Sequence, residues 1–202
     1  MACKPMACKG MACKPDAGTA DTAVPDPGPT RNTPRRISMD DTLTLSRDLG
    51  QRALRLVEGL HAPDDLSPAR LEQVFGQPVR HSRTDPQVYG FGRTLDARWI
   101  CNVMTLPRPA PDAPLRLEFA FDDQTDAYDD LSAVAGLDFD ACAAAMEAVG
   151  YVHRPATGGR DMLYGHDFLR GPVSIRVRVR AESAAHPDHL CVESLIAEVR
   201  HA

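Results

Sequence analysis

Lysine is missing from almost the whole chain. All three lysines, Lys4, Lys9 and Lys14, lie in the first fourteen residues, and every other Lys/Arg position among the 202 residues is one of 20 arginines. No Lys/Arg-rich block occurs and the formal net charge is −5. That combination excludes general nucleic-acid binding, which depends on neutralising phosphates. No run approaches the roughly 18 consecutive apolar residues of a membrane span, and the first thirty residues hold no apolar signal-peptide core. The expected address is therefore the cytoplasm, with no membrane partner. Also absent are G-x-S-x-G, H-E-x-x-H, G-x-x-x-x-G-K-[ST] and G-x-G-x-x-G. No catalytic residue, cofactor or metal is expected on motif grounds.

What is present divides into two parts. Residues 1–15 read MACKP-MACKG-MACKP, and residues 16–37 continue with clustered Pro, Gly, Thr and Asp. Such sequence has too few large apolar side chains to offset the entropy of ordering, so 1–37 is expected to be a disordered Cys/Pro-rich tail. Its Cys3, Cys8 and Cys13 lack the C-x-x-C pairing of a structural zinc site. The other cysteines, Cys101, Cys142 and Cys191, stand singly in apolar patterns and are expected as buried thiols. A single α+β domain is expected over 38–202.

The apolar residues Met39, Leu43, Leu49, Ala53, Leu56, Val57 and Leu60 recur near helical spacing, with Asp40 and Asp41 in the first turn. This pattern predicts an amphipathic helix over 39–60. Beyond it, two stretches about 75 residues apart share landmarks. Leu71-x-x-Val74-Phe75-Gly76 falls on Ala145-x-x-Ala148-Val149-Gly150, Tyr89-Gly90-Phe91 on Tyr164-Gly165-His166, and Leu117-Glu118 on Val192-Glu193. Each stretch reads as a helix followed by three strands. The first has Ser67-Pro68 as N-cap and N1 and strands near 87–93, 98–106 and 114–121. The second has Asp138 capping 139–149 and strands near 162–169, 172–181 and 190–199. The predicted fold is α+β: two tandem helix-plus-three-strand units (about 66–121 and 138–199) forming one antiparallel sheet with helices on one face, plus the N-terminal helix.

This arrangement, opened by Leu66-Ser67-x-x-x-Leu71-x-x-x-x-Gly76, resembles the β-lactamase inhibitor protein fold, over roughly 66–199. Single units of this kind resemble small bacterial envelope lipoproteins. A short acidic chain of this build is also similar to bacterial immunity proteins, which neutralise toxins delivered by secretion systems. The resemblance implies a binding protein whose partner is a bacterial toxin or effector.

Between Arg116 and Arg154 there is no Lys or Arg, but nine acids. Six of these, Asp122, Asp123, Asp126, Asp129, Asp130 and Asp138, fall in the segment joining the two units, 122–137 and the cap that follows it. Either this segment is a solvated acidic linker, or it is an anionic surface that meets a basic protein. Calcium is a third reading, but Asp122, Asp126 and Asp130 lack EF-hand spacing. Arg176, Arg178 and Arg180 alternate with Val177 and Val179, so the guanidinium groups share a face. The expected partner-binding set is Asp122, Asp123, Asp126, Asp129, Asp130, Arg176 and Arg178. Trp99, Tyr89, Phe91 and Tyr164 are candidate aromatic anchors or core. His186, His189 and Cys191 are the nearest thing to zinc ligands, and Asp161 and His166 the nearest to an acid/base pair, with His153 a further residue that a small enzyme could use. The leading expectation is an immunity or inhibitor protein. The rivals are an acidic secretion chaperone and a small enzyme.

Overall fold

The computed structural model describes residues 37–110, 112–125, 130–157 and 163–200, with backbone alone for Leu163 and Tyr164. The tail expected over 1–37 therefore lies outside the described residues except for Ile37, as do Asp126, Asp129 and Asp161.

Helix α1 spans Met39–Glu58. Ser38 begins it with reciprocal bonds: its hydroxyl accepts from Asp41 N at 3.1 Å, and the Asp41 carboxylate accepts from Ser38 N at 3.3 Å. A short 3-10 turn, Pro63–Leu66, leads into α2, Pro68–Phe75. Ser67 occupies the N-cap position as expected, but its side chain makes no cap bond; Pro68 follows and Gly76 closes the helix at φ 64°. Only glycine adopts that left-handed conformation without strain. Strands β1 (Arg80–His81), β2 (Tyr89–Thr94), β3 (Trp99–Thr105) and β4 (Leu115–Asp123) follow. Helix α3, Phe139–Ala148, starts with Asp138 accepting from Ala141 N at 2.7 Å. Strands β5 (Val152–Thr157), β6 (Leu163–Arg170), β7 (Val173–Ser183) and β8 (His186–Val199) complete the chain.

The eight strands of the described residues form one antiparallel sheet in the order β1-β2-β3-β4-β8-β7-β6-β5. The expected α+β class with an antiparallel sheet is thus observed, with four strands after α2 and four after α3 rather than three. The additional ones are the outermost. β1 has only two residues, and β5 carries Pro155, which an edge strand tolerates because one side needs no ladder bond.

The core lies between this sheet and the three helices. One register row, Val103–Phe119–Leu195–Val177, and the next, Leu117–Ala197–Ile175–Phe168, face it. They share one cluster with Leu49, Leu56 and Val57 of α1, Leu71 and Phe75 of α2, and Cys142 and Met146 of α3. Trp99, 2% exposed, belongs to it as well.

Three expectations need correction. First, α1 does not bury Met39, which is 59% exposed, but Thr42 and Ser46. The chain at 136 crosses the helix at Ser46 and Arg47 so closely that a Cβ on Gly136 would lie 2.4 Å from Arg47 N. Thr42, one turn earlier, donates its hydroxyl to the Asp96 carboxylate at 3.0 Å. Second, α3 turns Phe139, Cys142 and Met146 inward, and Val149, aligned by sequence with buried Phe75, is 39% exposed. Third, the described parts of 122–137, residues 122–125 and 130–137, are not simply a solvated linker. Asp122 and Asp123 end the central strand β4, and Leu131, Val134 and Leu137 are buried. Backbone bonds from Leu131 N to Glu182 O and from Val192 N to Leu137 O secure 130–137.

Candidate functional site

In each strand, alternate residues point to opposite faces. The face opposite the core has no helix over it among the described residues. Its central rows are Asn102–Ala120–Ser194–Arg178 and Met104–Glu118–Ile196–Arg176–Asp167. A bulge sets Val179 opposite Val192, leaving Glu193 as the extra residue of β8. Here Glu193 reaches both Arg178 and Arg180, at 3.3 and 3.4 Å. Arg176 makes a two-pronged pair with Asp167 at 2.8 and 3.1 Å. Around the bulge opens a cleft of about 480 Å³. Ala120 and Ser194 contribute to its lining from adjacent strands, as do Glu118 and Asp122 from β4 and the Arg178, Arg180 and Glu193 group from β7 and β8.

The expected partner-binding residues are distributed as follows. Asp122, Arg176 and Arg178 belong to this face, where the Asp122 carboxylate accepts from the Asn102 amide. Asp130 is exposed off the sheet, and bonds from Ser132 hold its carboxyl below the usual range. Asp123 does not face solvent, contrary to expectation. Its side chain is 0% exposed, with Arg98 donating to it at 2.6 and 2.9 Å and Thr125 at 2.7 and 2.8 Å. It continues the inward parity of Leu117, Phe119 and Phe121, and an ionised carboxylate there needs such partners. Sequence reading did not single out Ala120, Ser194 or Asn102. The signal was available: if Leu117, Phe119 and Phe121 face the core, then Glu118, Ala120 and Asp122 face away from it.

Two of the candidate aromatic anchors pack within the fold. The Tyr89 hydroxyl donates to Leu66 O at 2.9 Å, and Phe91 meets Phe75 with ring centroids 5.3 Å apart. Burial pushes the Cys101 and Cys142 thiols up to about 12 and Cys191 to about 11. Such thiols stay protonated at neutral pH and are poor nucleophiles or ligands. His186 is exposed at the β7–β8 hairpin, whereas His189 lies between Glu182 at 2.8 Å and Asp138 at 3.0 Å. Those carboxylates raise its pKa, Glu182 foremost. Among the described residues no group of three or more His, Cys, Asp or Glu is placed to hold a metal. His153 and His166 do meet, Nε2 to Nδ1 at 2.8 Å, beneath Phe139 and Phe168. Burial, then the neighbouring His153, lowers the His166 pKa. Neither histidine lines the cleft on the open face.

No protein-family model, curated protein or solved structure matches the chain. Among the described residues no helix is long and apolar enough to cross a membrane.

Proposed function

We propose that the protein is a binding protein of the immunity or inhibitor kind, acting in the cytoplasm, whose open sheet face docks a folded toxin or effector through that partner's basic surface. The observation that carries this reading is the composition of the face. Half-buried Ile196 and Ile100 and exposed Met104 lie among charged groups, and β4 adds Glu118 and Asp122. A mixed apolar and charged surface on a rigid sheet suits recognition, and the acids would steer a basic partner. Arg176 and Arg178, already paired with carboxylates, would contribute flat guanidinium planes at the rim.

The finer reading of a duplicated unit also has support. Tyr89-Gly90 and Tyr164-Gly165 fall on the second strand after α2 and after α3. A Cβ on Gly90 would lie 2.1 Å from Val103 O, and one on Gly165 2.5 Å from Val177 O. The same close approach to the following strand thus recurs at both places.

The test is capture from the native cells with the full tagged chain, at low and high salt, beside the Asp167→Arg variant, which reverses an acid of this face. One stoichiometric folded partner, lost at high salt and with the variant, is expected. Self-association alone, or capture of unfolded clients, would replace this reading with a chaperone; a partner indifferent to the variant would move the interface elsewhere.

A further inference from the structure

The geometry points to the cleft on the open face as a site for a single guanidinium group, supplied by an arginine side chain of the docked protein. This rests on the docking of a protein at that face and names its anchor. Two independent observations converge here. The Ser194 side chain is buried, 4% exposed as a residue, and its Oγ has no hydrogen-bond partner, although Ser194 lines the cleft. A buried hydroxyl left unpaired is costly and signals a missing partner. In addition, the half-buried Glu118 makes no ion pair or side-chain hydrogen bond among the described residues.

The remaining charges select a cation. Arg178 and Arg180 share the one carboxylate of Glu193, and with Glu118 and Asp122 the lining sets three acids against two arginines. Glu118 and Asp122 stand two residues to either side of Ala120 on one strand face. Their Cα atoms are therefore about 13 Å apart along the strand, and the carboxylates flank the space over Ala120. A methyl group there, beside Ser194 in the next strand, leaves room that a larger side chain would fill. A planar guanidinium, with five donors in a fixed fork, can serve carboxylates on two sides and a hydroxyl together; an ammonium presents a point charge without that spread.

The test uses the full chain, isotopically labelled, titrated with N-acetyl-arginine methylamide and with its uncharged citrulline counterpart. Expected are saturable amide shifts at 118–122 and 193–194, at least tenfold weaker binding of the citrulline compound, and loss of at least fivefold in affinity with Glu118→Gln. No saturable shift at these amides, equal response to citrulline, or indifference to Glu118→Gln would overturn the assignment. The docking reading fails separately. Asp167 does not line this cleft, so partner capture that survives Asp167→Arg while the arginine compound still binds would count against docking alone. Loss of capture without arginine binding would count against the guanidinium site alone.

Discussion

Glu118 and Phe119 are neighbours in sequence and belong to different worlds. Phe119 is 1% exposed and sits in a row with Val103, Leu195 and Val177 beneath the helices; Glu118 shares a row with Met104, Ile196 and Arg176 on the face that no described helix covers. The same backbone ladder supports both. One face is constrained by packing volume, where each side chain meets others from several elements. The other is constrained only by solubility and by whatever meets it. Charge pairs such as Arg176 with Asp167 and Arg178 with Glu193 keep that face hydrated, and the cleft beside Glu193 stays open.

The largest break in this comparison should come from Phe119→Ala, which leaves a void in the middle of the core. A loss of about 3–5 kcal/mol is expected in urea unfolding. Next comes Asp123→Ala, which leaves Arg98 without its buried carboxylate. About 2–3 kcal/mol should be lost, less than for a wholly buried pair because the Arg98 side chain is 30% exposed. Two histidines sharpen the contrast between buried and exposed sites because their pKa values are shifted in opposite directions. His189 has a raised pKa, so its contribution is complete below its unfolded value and disappears as pH rises through the folded one. His166 has a lowered pKa, so stability associated with it is present above the unfolded value and declines as pH falls towards the folded one. Imidazole proton shifts followed by NMR should place the His189 midpoint above 6.5 and that of His166 below it. Asp138→Ala should move the former down. The smallest effect is expected from Glu118→Gln, within about 0.5 kcal/mol of the parent in the same urea experiment.

Much of this architecture could be read from periodicity and punctuation. The alternations Leu117-Phe119-Phe121 and Ile175-Val177-Val179 set the inner faces of β4 and β7, and Asp138 and Gly76 mark a helix start and a helix end where expected. β1 escaped because two residues carry no period, and β5 because Arg154 and Pro155 interrupt its apolar pattern. The burial of Asp123 was implicit in parity, since 123 has the phase of 117, 119 and 121. Its partner Arg98 stands 25 residues earlier and is brought near only by the β3–β4 pairing. The cleft was less legible still. It arises from a bulge at Glu193 and from small residues on two strands that become neighbours only when β4 meets β8.

Hydroxyl-radical footprinting of the full chain, alone and saturated with its captured partner, addresses the central claim most directly, because it reads side-chain accessibility on both sides of the sheet at once. If the open face is the docking surface, Met104 and Ile196 should be protected while Met39 and Val149, exposed on α1 and at the end of α3, stay as reactive as before. Protection of Met39 and Val149 with Met104 and Ile196 unchanged would contradict it.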